Sequence, residues 1–141
     1  MIDYEVAKWR LGLTWFVICG LLVLLVFVQM MLNKYGSRSE EFWSWLLPNF
    51  LPTLTLMATV FFADTPPSSA QRTVKKSIYR FALSISVFYL FLIILLILSE
   101  PLVHDLTGST IFDVIDRTGF ILSPIQGLAS LALGYFFVKK K

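Results

Sequence analysis

The chain has 141 residues, 57% of them hydrophobic and only 15% charged, with a formal net charge of +3. Soluble globular domains carry roughly a quarter charged residues, so a soluble domain is excluded. The basic balance needs no nucleic-acid partner, because it follows from where the lysines and arginines fall around apolar segments.

A bilayer crossing takes about 20 mostly apolar residues, since the hydrocarbon core is about 30 Å thick. The stretches 11–32, 43–63, 81–99 and 119–138 qualify. They predict an all-α integral membrane protein with four transmembrane helices, one domain over 1–141, joined by a basic segment 64–80 and a segment 100–118.

The first span is too long for the apolar region of a signal peptide, usually about 7–15 residues. Asp3 and Glu5 also stand where a signal's basic region belongs, so this span is read as a retained helix. Asp3 suits an N-cap and Trp9 an interfacial aromatic. A helix from Asp3 to Asn33 is about 46 Å long at 1.5 Å per residue, which predicts one or two turns projecting from the membrane. Asn33 and Gly36 end it.

The second span places Ser44, Pro48, Pro52, Thr55 and Thr59 on one stripe, with Asn49 beside it. Pro48 and Pro52 lack the N–H that would bond the carbonyls of Ser44 and Pro48. Freed carbonyls need a protein or water partner inside a bilayer. This face is therefore expected to meet another helix or an aqueous cavity, as a packing seam or a pore lining.

Before the third span, Ser68 and Gln71 fit a capping box, which predicts a helix from there to Ser99. On such a helix Arg72, Lys76 and Arg80 share one face, with Lys75 adjacent. That face is a candidate docking surface for an acidic cytosolic protein or anionic headgroups; snorkelling anchors have the same composition. In the segment 100–118, Thr110 and Asp113 form a second capping box, and Ile111, Phe112 and Ile115 share a face. A short amphipathic helix on the outer leaflet is expected before the fourth span.

The fourth span sets Ser123, Gly127, Ser130 and Gly134 on one stripe, a pattern that lets helices approach closely in lipid. Gln126 is placed for a hydrogen bond to another helix, and Pro124 lies in the first turns, where its missing N–H matters least.

Lys8, Arg10, Arg72, Lys75, Lys76, Arg80 and Lys139–Lys141 fall on one side of the spans; Lys34, Arg38 and Arg117 fall on the other. The positive-inside rule puts both termini in the cytoplasm, and the compact chain suits a bacterial inner membrane. No ionisable residue lies inside a span, which argues against proton-coupled transport. Cys19 and His104 alone cannot supply the usual set of zinc ligands. Nor does the sequence suggest a base beside a nucleophile. No catalytic residue, cofactor or metal is expected. The reading is a non-catalytic, homo-oligomeric inner-membrane sensor or scaffold that docks a cytosolic partner. The alternative is an oligomeric pore or membrane-disrupting effector lined by the polar face of span two; a small-solute transporter comes third.

Overall fold

The first helix begins where an aspartate can cap it: the Asp3 carboxylate accepts a hydrogen bond from the Glu5 N–H at 2.9 Å. In the computed structural model, which describes residues 1–63 and 73–138, this helix, α1, runs Tyr4–Met31. A 3-10 turn at Gly36–Arg38 leads into α2, Ser39–Ala63. Then come α3, Lys76–Thr107, and α4, Ile111–Val138. All four are long and apolar enough to cross a membrane, the make-up of a multi-pass membrane protein.

The helices form a square in which α1 borders α2 and α3, and α4 closes the figure against both. The α3–α4 contact is the most extensive. Inside lie Trp15, Phe42, Leu46, Phe50, Met57, Tyr89, Ile93 and Leu133, all fully buried or nearly so. Large side chains occupy the centre of the protomer.

Three features depart from the sequence expectation. First, α3 does not start near residue 68. Thr73–Val74 are extended and pair antiparallel with Ile2–Asp3, Ile2 opposite Val74. Lys75 is extended too, with φ −60° and ψ 127°. Two β-branched residues that bond a neighbouring strand have no reason to join a helical turn. The Ser68–Gln71 capping box lies outside the described residues.

Second, α3 does not stop at Ser99 but continues through Pro101 to Thr107. Its projecting turns are held by the ion pair between Lys34 and Glu100, at 2.8 Å. The helix ends at Gly108, whose φ of 67° suits glycine and whose N–H bonds the His104 carbonyl at 2.8 Å.

Third, no separate amphipathic helix precedes the fourth span. Residues 111–118 are the opening turns of α4 itself. Ile111, Phe112 and Ile115 are buried against the bundle, so their shared face continues the axis of the span. The capping box is present: the Asp113 carboxylate accepts from the Thr110 N–H at 2.8 Å, and the Asp113 N–H donates to Thr110 Oγ1 at 3.4 Å.

Both ends of the square are tied. At the end carrying Tyr4, the Tyr4 and Phe136 rings stack at 5.7 Å and Tyr79 packs on Phe136 at 6.4 Å. Lys8 is buried there, its ammonium 2.9 Å from Glu5 and 5.4 Å from the centre of the Phe61 ring. At the opposite end Tyr35 stacks on Phe42 at 4.3 Å and donates its hydroxyl to Gln29. Burial, with Glu100 nearby, pushes the Tyr35 phenol up to about 12. Arg38 pairs with Glu41 through two hydrogen bonds at 2.7 and 2.6 Å and lies over the Phe112 ring at 3.8 Å.

Candidate functional site

The polar stripe of α2 lies outside the bundle. Phe42, Leu46, Phe50, Thr53 and Met57 form the buried face of the helix. Ser44, Pro48, Pro52, Thr55 and Thr59 occupy the other side and are exposed. The reason is volume: the core of the square takes the large side chains of α2, and the helix can offer them only by turning its small residues outward.

The stripe of α4 behaves in the same way. Ser123 and Gly127 are exposed, Ser130 and Gly134 half-buried. A Cβ built on Gly127 or Gly134 would meet no atom within 4 Å. The glycines therefore serve no close approach inside the protomer, contrary to a seam within one chain.

The two stripes are exposed on neighbouring helices. Gln126 Nε2 donates to the Pro48 carbonyl at 2.8 Å. This is the carbonyl that Pro52 frees, so the predicted interhelical bond has found the predicted orphan. Deeper in the contact, Thr53 Oγ1 and Ser130 Oγ lie 3.4 Å apart. Outside these links Ser44, Pro48, Pro52, Thr55, Thr59, Ser123 and Gly127 make the exposed α2–α4 surface, called the groove below. The Thr55 and Thr59 hydroxyls donate to the carbonyls of Leu51 and Thr55, both at 2.8 Å. Ser123 donates to the Gly119 carbonyl at 3.0 Å. With donors satisfied by their own helices, this surface can meet lipid or another protein without stranded hydroxyl protons.

Asn49 separates from the stripe. It is half-buried and turned toward α3: the Tyr89 hydroxyl donates to its backbone carbonyl at 2.8 Å and approaches its Oδ1 at 3.0 Å. Its Nδ2 donates to the Trp45 carbonyl at 2.6 Å. Asn49 is therefore an internal tie and not part of the exposed lining.

Close helix approach occurs elsewhere, at Gly12 of α1. A Cβ there would fall 2.5 Å from two ring carbons of Phe61, so the Phe61 ring occupies the space a side chain would need. Trp9 and Phe16 pack on the same ring at 5.2 and 6.5 Å. Gly12 carries no stripe signal in the sequence, because it stands alone, with no small residue one turn away. The available signal was a single glycine inside the first apolar turns of a span, where a glycine weakens a helix unless something packs on it.

Of the basic candidates, Lys75, Lys76 and Arg80 are exposed at the start of α3. Arg72 lies outside the described residues. Since 73–75 are extended, the helical face of α3 begins with Lys76 and Arg80. Among the described residues no group of three or more His, Cys, Asp or Glu is placed to hold a metal ion.

Comparison with known proteins gives the chain no relatives: no family model, no curated protein and no solved structure matches it.

Proposed function

We propose that the chain is a non-catalytic membrane protein that works as a homo-oligomer, with copies joined through the α2–α4 groove. The observation that carries this reading is the exposure, side by side, of the two small-residue stripes. Lipid supplies no hydrophobic force between helices, so association in a bilayer relies on close packing, which small side chains allow. Here the small residues are on the outside and unfilled within the protomer.

The assembly is best understood as a sensor or scaffold of the inner membrane, with both termini in the cytoplasm. Lys75, Lys76 and Arg80, with Arg72 before them, would then face an acidic cytosolic partner or anionic headgroups. The exposure of Lys75, Lys76 and Arg80 supports a docking role.

Cysteine cross-linking in native membranes tests the assembly. In a Cys19→Ser background, Ser123→Cys and Gly127→Cys should each give a covalent dimer on oxidation, and Leu24→Cys on α1 should not. Cross-linking at Leu24 alone would overturn the proposal.

A second reading is favoured by the same exposure. Copies arranged around an axis could line a pore with Ser44, Thr55 and Thr59, since hydroxyl linings pass solutes without charged rings. With large side chains in the core of each protomer, such a route would run along that axis. Ion or dye flux from liposomes holding the purified protein would establish it; sealed liposomes under every applied potential would remove it.

A further inference from the structure

We propose that the core of the bundle holds a binding site for a small neutral hydroxylic ligand, of which water is the smallest, between Trp15 of α1 and Ser86 of α3. This goes beyond the assembly reading and does not depend on it.

The Trp15 indole N–H and the Ser86 hydroxyl are both buried, each residue at 0% exposure, and neither has a hydrogen-bond partner in the protein. Buried polar groups are nearly always bonded. Inside a membrane bundle the requirement is stricter, because bulk water cannot reach the site. One unpaired group could be a local misfit. Two in one place describe a site.

Both groups neighbour Tyr89. Trp15 stacks on the Tyr89 ring, centroids 6.2 Å apart and planes 30° apart. Ser86 precedes Tyr89 by three residues on the same buried stripe of α3, one helical turn away. Ser86 also had a local alternative that it does not take. The hydroxyls of Thr14, Thr55, Thr59, Thr118 and Ser123 each bond the carbonyl four residues back. The Ser86 hydroxyl makes no such bond, which leaves its proton and lone pairs available across the α1–α3 contact.

The chemistry of the ligand follows from the two groups. An indole N–H only donates, so the ligand needs an acceptor; a serine hydroxyl takes either role. No carboxylate or ammonium is buried at this level; among the described residues the one buried charge is Lys8, about two turns before Trp15 and paired with Glu5. An ion is thereby disfavoured. A neutral O–H compound that accepts from Trp15 and exchanges a hydrogen bond with Ser86 satisfies both. The site continues a polar layer across the bundle, from Ser86 and Trp15 through Tyr89 to Asn49.

The test uses the full chain in lipid nanodiscs with ¹⁵N-labelled tryptophan. The chain has four tryptophans, and loss of one indole signal in Trp15→Phe assigns the peak. The expected result is cross-relaxation between the Trp15 indole proton and a long-lived water, abolished in Ser86→Ala while the other three indole peaks hold their positions. Addition of 1-propanol separates the occupants: cross-peaks to its methylene protons would show a larger alcohol in place of water. No cross-relaxation to either, or a signal unchanged in Ser86→Ala, would overturn the proposal. The unfolding midpoint in mixed detergent gives an independent readout. A liganded serine makes Ser86→Ala lower that midpoint; a dry, unpaired serine makes the same change raise it, and that rise would also overturn the site.

Discussion

On the side formed by α1 and α3, the exposed residues include Leu13, Phe16, Val17, Leu21, Leu24, Phe81, Phe88, Phe91 and Leu95, with Gly20 and Ser84 as small exceptions. On α2 and α4 they include Ser44, Pro48, Pro52, Thr55, Thr59, Ser123 and Gly127, beside large residues such as Leu51, Phe120, Leu128 and Leu131. All four helices are apolar enough to span a bilayer, α1 and α3 markedly more so than α2 and α4. Side-chain size separates the sides as well. The α1–α3 surface is coated mainly by large apolar side chains, which suit acyl chains and hold another helix away. The α2–α4 surface is the reverse. The outward face of a membrane helix thus carries information that the outward face of a soluble helix does not, since lipid tolerates either kind and only a protein partner benefits from the second.

The largest expected effect separates a glycine used inside the protomer from one left open. Gly12→Ala drives a methyl into the Phe61 ring and should destabilise the fold by about 1–3 kcal/mol, the usual cost of overpacking. Phe61 is only half-buried, so part of the strain can be relieved by movement of its ring, which favours the lower end. Gly127→Ala meets nothing and should leave the fold intact or firm it, since alanine exceeds glycine in helix propensity by up to about 1 kcal/mol. Unfolding titrations of the two variants in mixed micelles check the contrast. Equal destabilisation would show that Gly127 is packed within the protomer after all.

That contrast also marks how far the sequence could be read. The four spans were legible because hydropathy over about 20 residues has few other causes. Caps were legible where they are local, as at Asp3 and at Thr110 with Asp113. Gln126 was legible as an interhelical donor, and the Pro48 carbonyl as an orphan, because covalent structure alone defines both needs; joining them took the structure. Periodicity gave the stripes their membership but not their direction. Ser44–Thr59 and Ser123–Gly134 mark one side of a helix whether that side is inside or out, and the decision rests on which large residues fit the core. The start of α3 was illegible for a different reason. Thr73 and Val74 leave the helix to pair with Ile2 and Asp3, about 70 residues earlier, and no local pattern reports a partner that distant.

A second contrast compares the two outward surfaces directly. Gly20 on α1 and Gly127 on α4 are both exposed, and a Cβ on either would meet nothing. Within one protomer they are equivalent. Gly127→Leu should nevertheless weaken self-association by about tenfold or more, corresponding to about 1.4 kcal/mol, because leucine would hold two backbones apart. Gly20→Leu should leave association unchanged, since it adds one more large residue to a surface already made of them. Energy transfer between labelled copies in liposomes, measured over a range of protein-to-lipid ratios, gives both curves. Identical curves would remove the distinction between the surfaces.

The smallest effect concerns how the groove is held in shape. Gln126→Leu removes the donor to the Pro48 carbonyl and should cost about 0.6 kcal/mol of fold stability, near the average for such bonds in membrane bundles. The carbonyl then becomes an unpartnered acceptor between α2 and α4, at the edge of the exposed stripe. In a monomer it has only lipid to face. In an assembled oligomer the groove is covered by another copy, whose exposed serine or threonine hydroxyls could turn toward it. Gln126→Leu should therefore destabilise the dispersed protein more than the assembled one, and the deficit should shrink as the protein-to-lipid ratio rises. A deficit independent of that ratio would place Gln126 in the interior of the protomer and leave the groove without a role in assembly.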